Sequence, residues 1–178
     1  MSEVTPQRII IQNEETAYKA SVSEALLRRV GATTNFINKN QYVQWDFKLN
    51  GPYKTGLGLD GAFPIHKDCE ITAITMYNLI AGTSGTTTLD IRLYTASNTP
   101  AGGSSIFSQK PSIDFSSGDV AYVSYDFIDS IVLENPAGTT IPILGTTNLN
   151  KGDLLVVNVD SAQVLGQHCG IVVGFRPR

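Results

Sequence analysis

The sequence predicts an all-β protein: an antiparallel, jelly-roll-like β-sandwich preceded by a short N-terminal arm and helix. Three observations carry this expectation. From Gln41 onward, apolar residues recur with period two, the spacing of half-buried strands. Between those runs lie AGTSGTT, SNTPAGGSS, FSSGD, ENPAGTT and NLNKGD, built from turn residues. No strand–helix–strand alternation and no internal repeat occurs, which argues against parallel sheets, propellers and solenoids.

Taken in order, residues 1–20 are polar and read as an extended arm, with a brief strand at Arg8–Gln12. SVSEALLRRVG follows. Ser21 and Glu24 stand in the S-x-x-E relation of a capping box, in which each side chain satisfies a backbone amide of the first turn. Val22, Leu26 and Val30 then form one apolar stripe at i, i+4 and i+8. Arg28 and Arg29 suit the negative end of the helix dipole, and Gly31 suits the C′ position. A helix this short is marginal alone, so its stripe requires a covering surface. Residues 1–40 are therefore expected to anchor and oligomerise the chain through Val22, Leu26 and Val30, as a homotrimer. Residues 41–178 are expected to form the sandwich.

In QYVQWDFKLNG, Val43, Trp45, Phe47 and Leu49 alternate with Gln44, Asp46 and Lys48. Further strands are expected at Glu70–Ile80, Thr87–Tyr94, Ile106–Phe107, Val120–Ile128, Ile131–Leu133, Leu154–Val159 and Cys169–Phe175. Leu89, Ile91 and Leu93 should face one way, and Asp90 and Arg92 the other. Trp45 and Phe175 should be buried.

Composition excludes several classes. The 178 residues carry a formal charge of -3, without the basic footprint that neutralises phosphates, so no direct nucleic-acid contact is expected. No apolar run approaches the ~20 residues that span a bilayer, and the first fifteen residues lack a signal-peptide core. Cys69 and Cys169 sit in apolar alternating runs and are expected as free core thiols.

Gly56-Leu-Gly-Leu-Asp-Gly61 has the spacing of a dinucleotide fingerprint, but that motif requires a following helix. Pro64 and a new strand pattern follow instead, so a bent loop with Asp60-Gly61 as its turn is expected. His66 and His168 lack ligand spacing for a metal, and GTSGT is not a nucleophile elbow. Asp114, Asp119, Asp126 and Asp129 read as solvated strand ends. Tyr42, Tyr53, Tyr77, Tyr94 and Tyr122 read as core-margin residues, with a sugar-stacking platform as the rival reading. No catalytic residue, cofactor or metal is expected.

The succession SEALLRRVGATTNFIN, QWDFKLNGPY, FPIHKDCEITAITMYNLIAGTSGTTTLDIRLY, SIFSQKPSI, LNKGDLLVVNVDSA and GIVVGFRPR resembles bacteriophage virion proteins with a C-terminal β-sandwich. The matching pieces are Asp90-Ile91, Ile106–Ile113, Lys151–Asp153 and Leu155–Asp160, and the likeness covers most of residues 40–178. The chain departs from the pattern at VAYVSYDFIDSIVLENPAGTTIPI. The resemblance implies a non-enzymatic structural protein, made in the host cytoplasm and carried on the virion. Capsid decoration or a head fibre attached to the major capsid protein comes first. A tail or baseplate attachment component, or a module binding a host surface glycan, is the alternative. The loops Ala81–Thr87, Asn98–Ser104 and Asn135–Ile141 are expected together at the distal or inter-subunit face.

Overall fold

The computed structural model describes residues 43–95 and 103–178, the side chains of 59–61 excepted. The arm, the Arg8–Gln12 strand and the capped helix with Val22, Leu26 and Val30 lie outside the described residues. The strands are β1 Val43–Pro52, β2 Gly56–Pro64, β3 Cys69–Ile80, β4 Thr86–Tyr94, β5 Ser104–Ser105, β6 Phe107–Gln109 and β7 Ser112–Asp114. After a 3-10 turn at Phe115–Ser117 come β8 Ala121–Asp126, β9 Ile131–Glu134, β10 Thr139–Thr140 and β11 Ile143–Leu144. The chain finishes with β12 Asn148–Leu149, β13 Leu154–Ser161 and β14 Gln167–Pro177.

All strand pairs are antiparallel. The first sheet runs β1-β14-β3-β8-β9, with β12 added on β3. The second runs β10-β7-β4-β13-β2, with β5 added on β4, and β6 and β11 form a separate ribbon. Long strands thus switch sheets along the chain, so β1-β14-β3-β8 lies over β2-β13-β4-β7. That winding is a jelly roll. Its core interleaves Phe47, Ile74, Met76, Val123 and Ile171 of the first sheet with Leu89, Ile91, Ile113, Leu155 and Val157 of the second. The period-two pattern from Gln41 on is the sequence cause of this burial.

Four expectations change in detail. Trp45 is only half-buried: it is near the first sheet's edge and stacks on Phe63, which stacks on the buried Phe175, at centroid distances of 5.0 and 5.7 Å. Gly56–Gly61 is not a loop but the start of β2. Leu57 pairs with Asn158 and Ala62 with Val156, so the expected bend exists as a wide bulge on an edge strand, where pairing tolerates extra residues. The strand at Ile106–Phe107 is broken at Ile106, whose amide and carbonyl turn to Ile91 and Gly145. Cys169 is buried, whereas Cys69 is half-buried; both are free. They sit at opposite ends of the β3–β14 pair, about 27 Å apart at ~3.3 Å per residue, beyond disulfide reach.

The sandwich has two unlike ends. At the root end, the chain reaches Val43, and the 65–68 and 150–153 connections meet the C-terminal Arg178. At the loop end, β3 joins β4, β7 leads to β8, and β13 joins β14.

Candidate functional site: the loop end

Gln163 organises the loop end from inside. It is buried, its amide donates to Thr87 Oγ1, its Nε2 donates to the Ile113 carbonyl, and its Oε1 accepts from the Gly82 amide. Two segments are therefore tied to one side chain and a third to its backbone amide, and no side-chain polar atom of Gln163 is left without a partner, as burial demands. The Thr83 amide donates to the Val164 carbonyl, and the Ala81 amide donates to Asp119. Gly82 is required by contact: a Cβ there would stand 2.4 Å from the Val164 carbonyl oxygen. Segment 137–138 joins the same end, because the Asp114 amide donates to Gly138 O and the Ser117 hydroxyl to Ala137 O.

This well-tied scaffold presents apolar side chains to solvent. Leu79, Ile80, Phe115, Val120, Val164 and Leu165 are all exposed, Val120 at 69% and Leu165 at 72%. Val120 and Leu165 also hold left-handed backbone, with φ of 58° and 62°. Neither residue type favours that region, and such strain costs about 1–3 kcal/mol. Carboxylates nearby are already engaged. Hydrogen bonds from the Ser116 hydroxyl and amide, then from Thr86, hold the Asp114 carboxyl below its usual range. The result is a surface of apolar groups with few free charges, suited to contact with another apolar protein surface.

Of the three loops expected together, Ala81–Thr87 and Asn135–Ile141 share this end. The described part of the third, Gly103 and Ser104, is at the root end, where Ser104 pairs with Leu93. Val22, Leu26 and Val30 lie outside the described residues. Three of the acidic residues read as solvated strand ends have structural duties: Asp126 accepts from the Ile128 and Asp129 amides, Asp114 from the Ser116 amide, and Asp119 from the Ala81 amide of the β3–β4 connection. His66 is exposed at the root end. His168 sits in the β1–β14 irregularity with φ 59°, and its Nδ1 accepts from the Gly51 amide. Among the described residues no three His, Cys, Asp or Glu side chains are grouped to hold a metal ion.

The tyrosines divide. The Tyr53 hydroxyl is buried without a partner among the described residues, and desolvation raises its pKa far above the ordinary value. Tyr77 and Tyr122 are register partners on the outward face of the first sheet, and Tyr122 is exposed. Desolvation, then the Asp46 carboxylate, pushes Tyr77 up to about 12.

Asp90 was unforeseen in its depth. It faces away from the core, as the alternation predicts, yet is wholly buried. Ser105 donates to it at 2.5 Å, and Lys110 and Arg92 lie at 3.0 and 3.3 Å. Lys110 also binds Asp160 at 2.5 Å, and that hydrogen bond is the main reason it holds its proton more tightly than an ordinary lysine. The four charges cancel. Period-two reading fixes the face of Asp90 but not the cover, because Ser105 and Lys110 arrive from another strand connection. For the loop end, the available signal is the apolar pair Val164-Leu165 just before Gly166, inside a turn.

No protein family matches the chain, and no curated protein matches it. Among solved structures, the chain is similar to Eiger TNF from S. frugiperda at 10% identity and a TM-score of 0.37, covering 77% of this chain and 93% of that one.

Proposed function

We propose that the chain is a non-enzymatic virion structural protein of the bacteriophage type, a capsid decoration or head-fibre subunit that works through its surfaces. The observation that carries this reading is the polarity of the sandwich. The polypeptide reaches Val43 at one end, and the exposed, strained aliphatics stand at the other. An anchored segment and an outward contact surface require that arrangement. The polar groups fit the same reading, since the Gln163 side chain is satisfied internally and the Asp90 charges are ion-paired within the fold. Residues 1–40, with Val22, Leu26 and Val30, would join the subunits as a homotrimer and hold them to the major capsid protein.

Particles assembled with a chain lacking residues 1–35 should fail to retain it. Full occupancy by the shortened chain would place attachment on the sandwich and reverse the polarity. Mass measurement of the full chain should give a trimer, and a monomer at high concentration would remove that element. The neighbouring Tyr77 and Tyr122 favour one second reading, a host glycan stacked on the first sheet; a glycan array on the chain and on Tyr122→Ala tests it.

A further inference from the structure

At the root end the two sheets part around a cavity of about 250 Å³. Phe63, Ile65, Cys69 and Phe175 form much of its wall, and Val43 borders it. The two phenylalanines belong to the Trp45–Phe63–Phe175 stack, so this wall is a packed aromatic series. A cavity near 150 Å³ lined by apolar groups stays dry and takes benzene. This larger one accommodates a body of about ten non-hydrogen atoms.

Its polar lining is His66, Lys67 and Arg176. Arg176 is paired with Glu70. The neighbouring Asp68 carboxylate is taken by the Lys151 amide. Among the described residues Lys67 has no ion-pair partner. One ammonium group without an ion-pair partner among the described residues thus stands beside an apolar chamber. A neutral apolar ligand would use only the chamber, and a cation would meet Lys67 as a like charge. An apolar body with one anionic end satisfies both parts.

We propose that this cavity is a binding site for a small amphipathic anion, a short acyl or aromatic body ending in a carboxylate placed at Lys67. The wall supplies the affinity by removing apolar surface from water, and Lys67 selects the sign of the head group. The site is distinct from the loop end, and its ligand is a small molecule rather than a protein.

Cys69 reports on occupancy because it lines the cavity, while Cys169 is buried elsewhere and serves as the silent control. The test is alkylation of the full-length chain by iodoacetamide, followed at Cys69 by peptide mass, with decanoate as the probe. Decanoate at ten times its dissociation constant should slow Cys69 alkylation about tenfold by mass action. Decyltrimethylammonium at the same concentration should slow it far less. Lys67→Gln should weaken decanoate protection about threefold, within the range of an exposed ion pair, read as the ratio of Cys69 rates with and without decanoate in that variant. Absence of protection by decanoate would overturn the site. Equal protection by the cationic amphiphile, or full protection in Lys67→Gln, would overturn the anionic ligand class.

Discussion

The two ends of the sandwich are closed by different chemistry. At the root end the connections are clamped by polar groups. The Ile65 amide donates to the Asp153 carbonyl, the Gly152 amide to the Ile65 carbonyl, and the Arg178 amide to the Asp68 carbonyl. Arg178 also reaches the Leu149 carbonyl and Asn150, and Arg176 pairs with Glu70. At the loop end Gln163 ties the connections from inside and Asp114, Ser117 and Asp119 tie them from outside, while Val120, Val164 and Leu165 stand exposed among them. A surface finished with charge is at rest in water. Strained aliphatics exposed to water are what the proposed protein contact would cover.

The comparison can be broken from either side. The largest effect is expected beneath the root end, where Phe175→Ala should cost about 3–5 kcal/mol in chemical unfolding, because a buried ring is lost from a stack. Trp45→Ala, half-buried, should cost about half of that; equal costs would mean that the edge of the first sheet is as closed as its centre. At the loop end, Gln163→Ala should cost about 2–3 kcal/mol, since it strands the Gly82 amide and the Ile113 carbonyl. A negligible change would show that these groups find water, and that Gln163 does not organise the end. Gly82→Ala should cost about 1–3 kcal/mol, because the new methyl meets backbone that cannot move aside.

The smallest effect is a pH dependence. The Asp114 carboxyl is held below its usual range in the fold, so its contribution is complete above the ordinary carboxylate pKa. It fades as pH falls through the lowered folded value. Asp114→Asn should therefore differ from the parent near neutrality and converge with it in strong acid. A gap that widens in acid would reverse the assignment.

How much of this was legible in the sequence follows from what period two encodes. Alternation identified the faces of β1, β4 and β14: Cys169, Ile171, Val173 and Phe175 all point inward, and Leu89 and Ile91 oppose Asp90. It did not encode which strands become neighbours, so the cover over Asp90 and the sorting of three loops between two ends were hidden. The glycines of Gly56–Gly61 masked a strand because an edge bulge and a loop have the same composition. Val164 and Leu165 were visible as an apolar pair in a turn, but their exposure depends on the Gln163 bonds to segments 50–81 residues away.

The claim that the loop end is built for contact rather than for folding is tested most directly by the unfolding free energy of Leu165→Asn and Val120→Asn. Asparagine accepts left-handed backbone more readily than leucine or valine, and exposed aliphatics contribute little to the core. Each change should raise stability, by about 1 kcal/mol from relieved strain. A loss of stability in both variants would mean that these side chains hold the fold together, and would contradict the account.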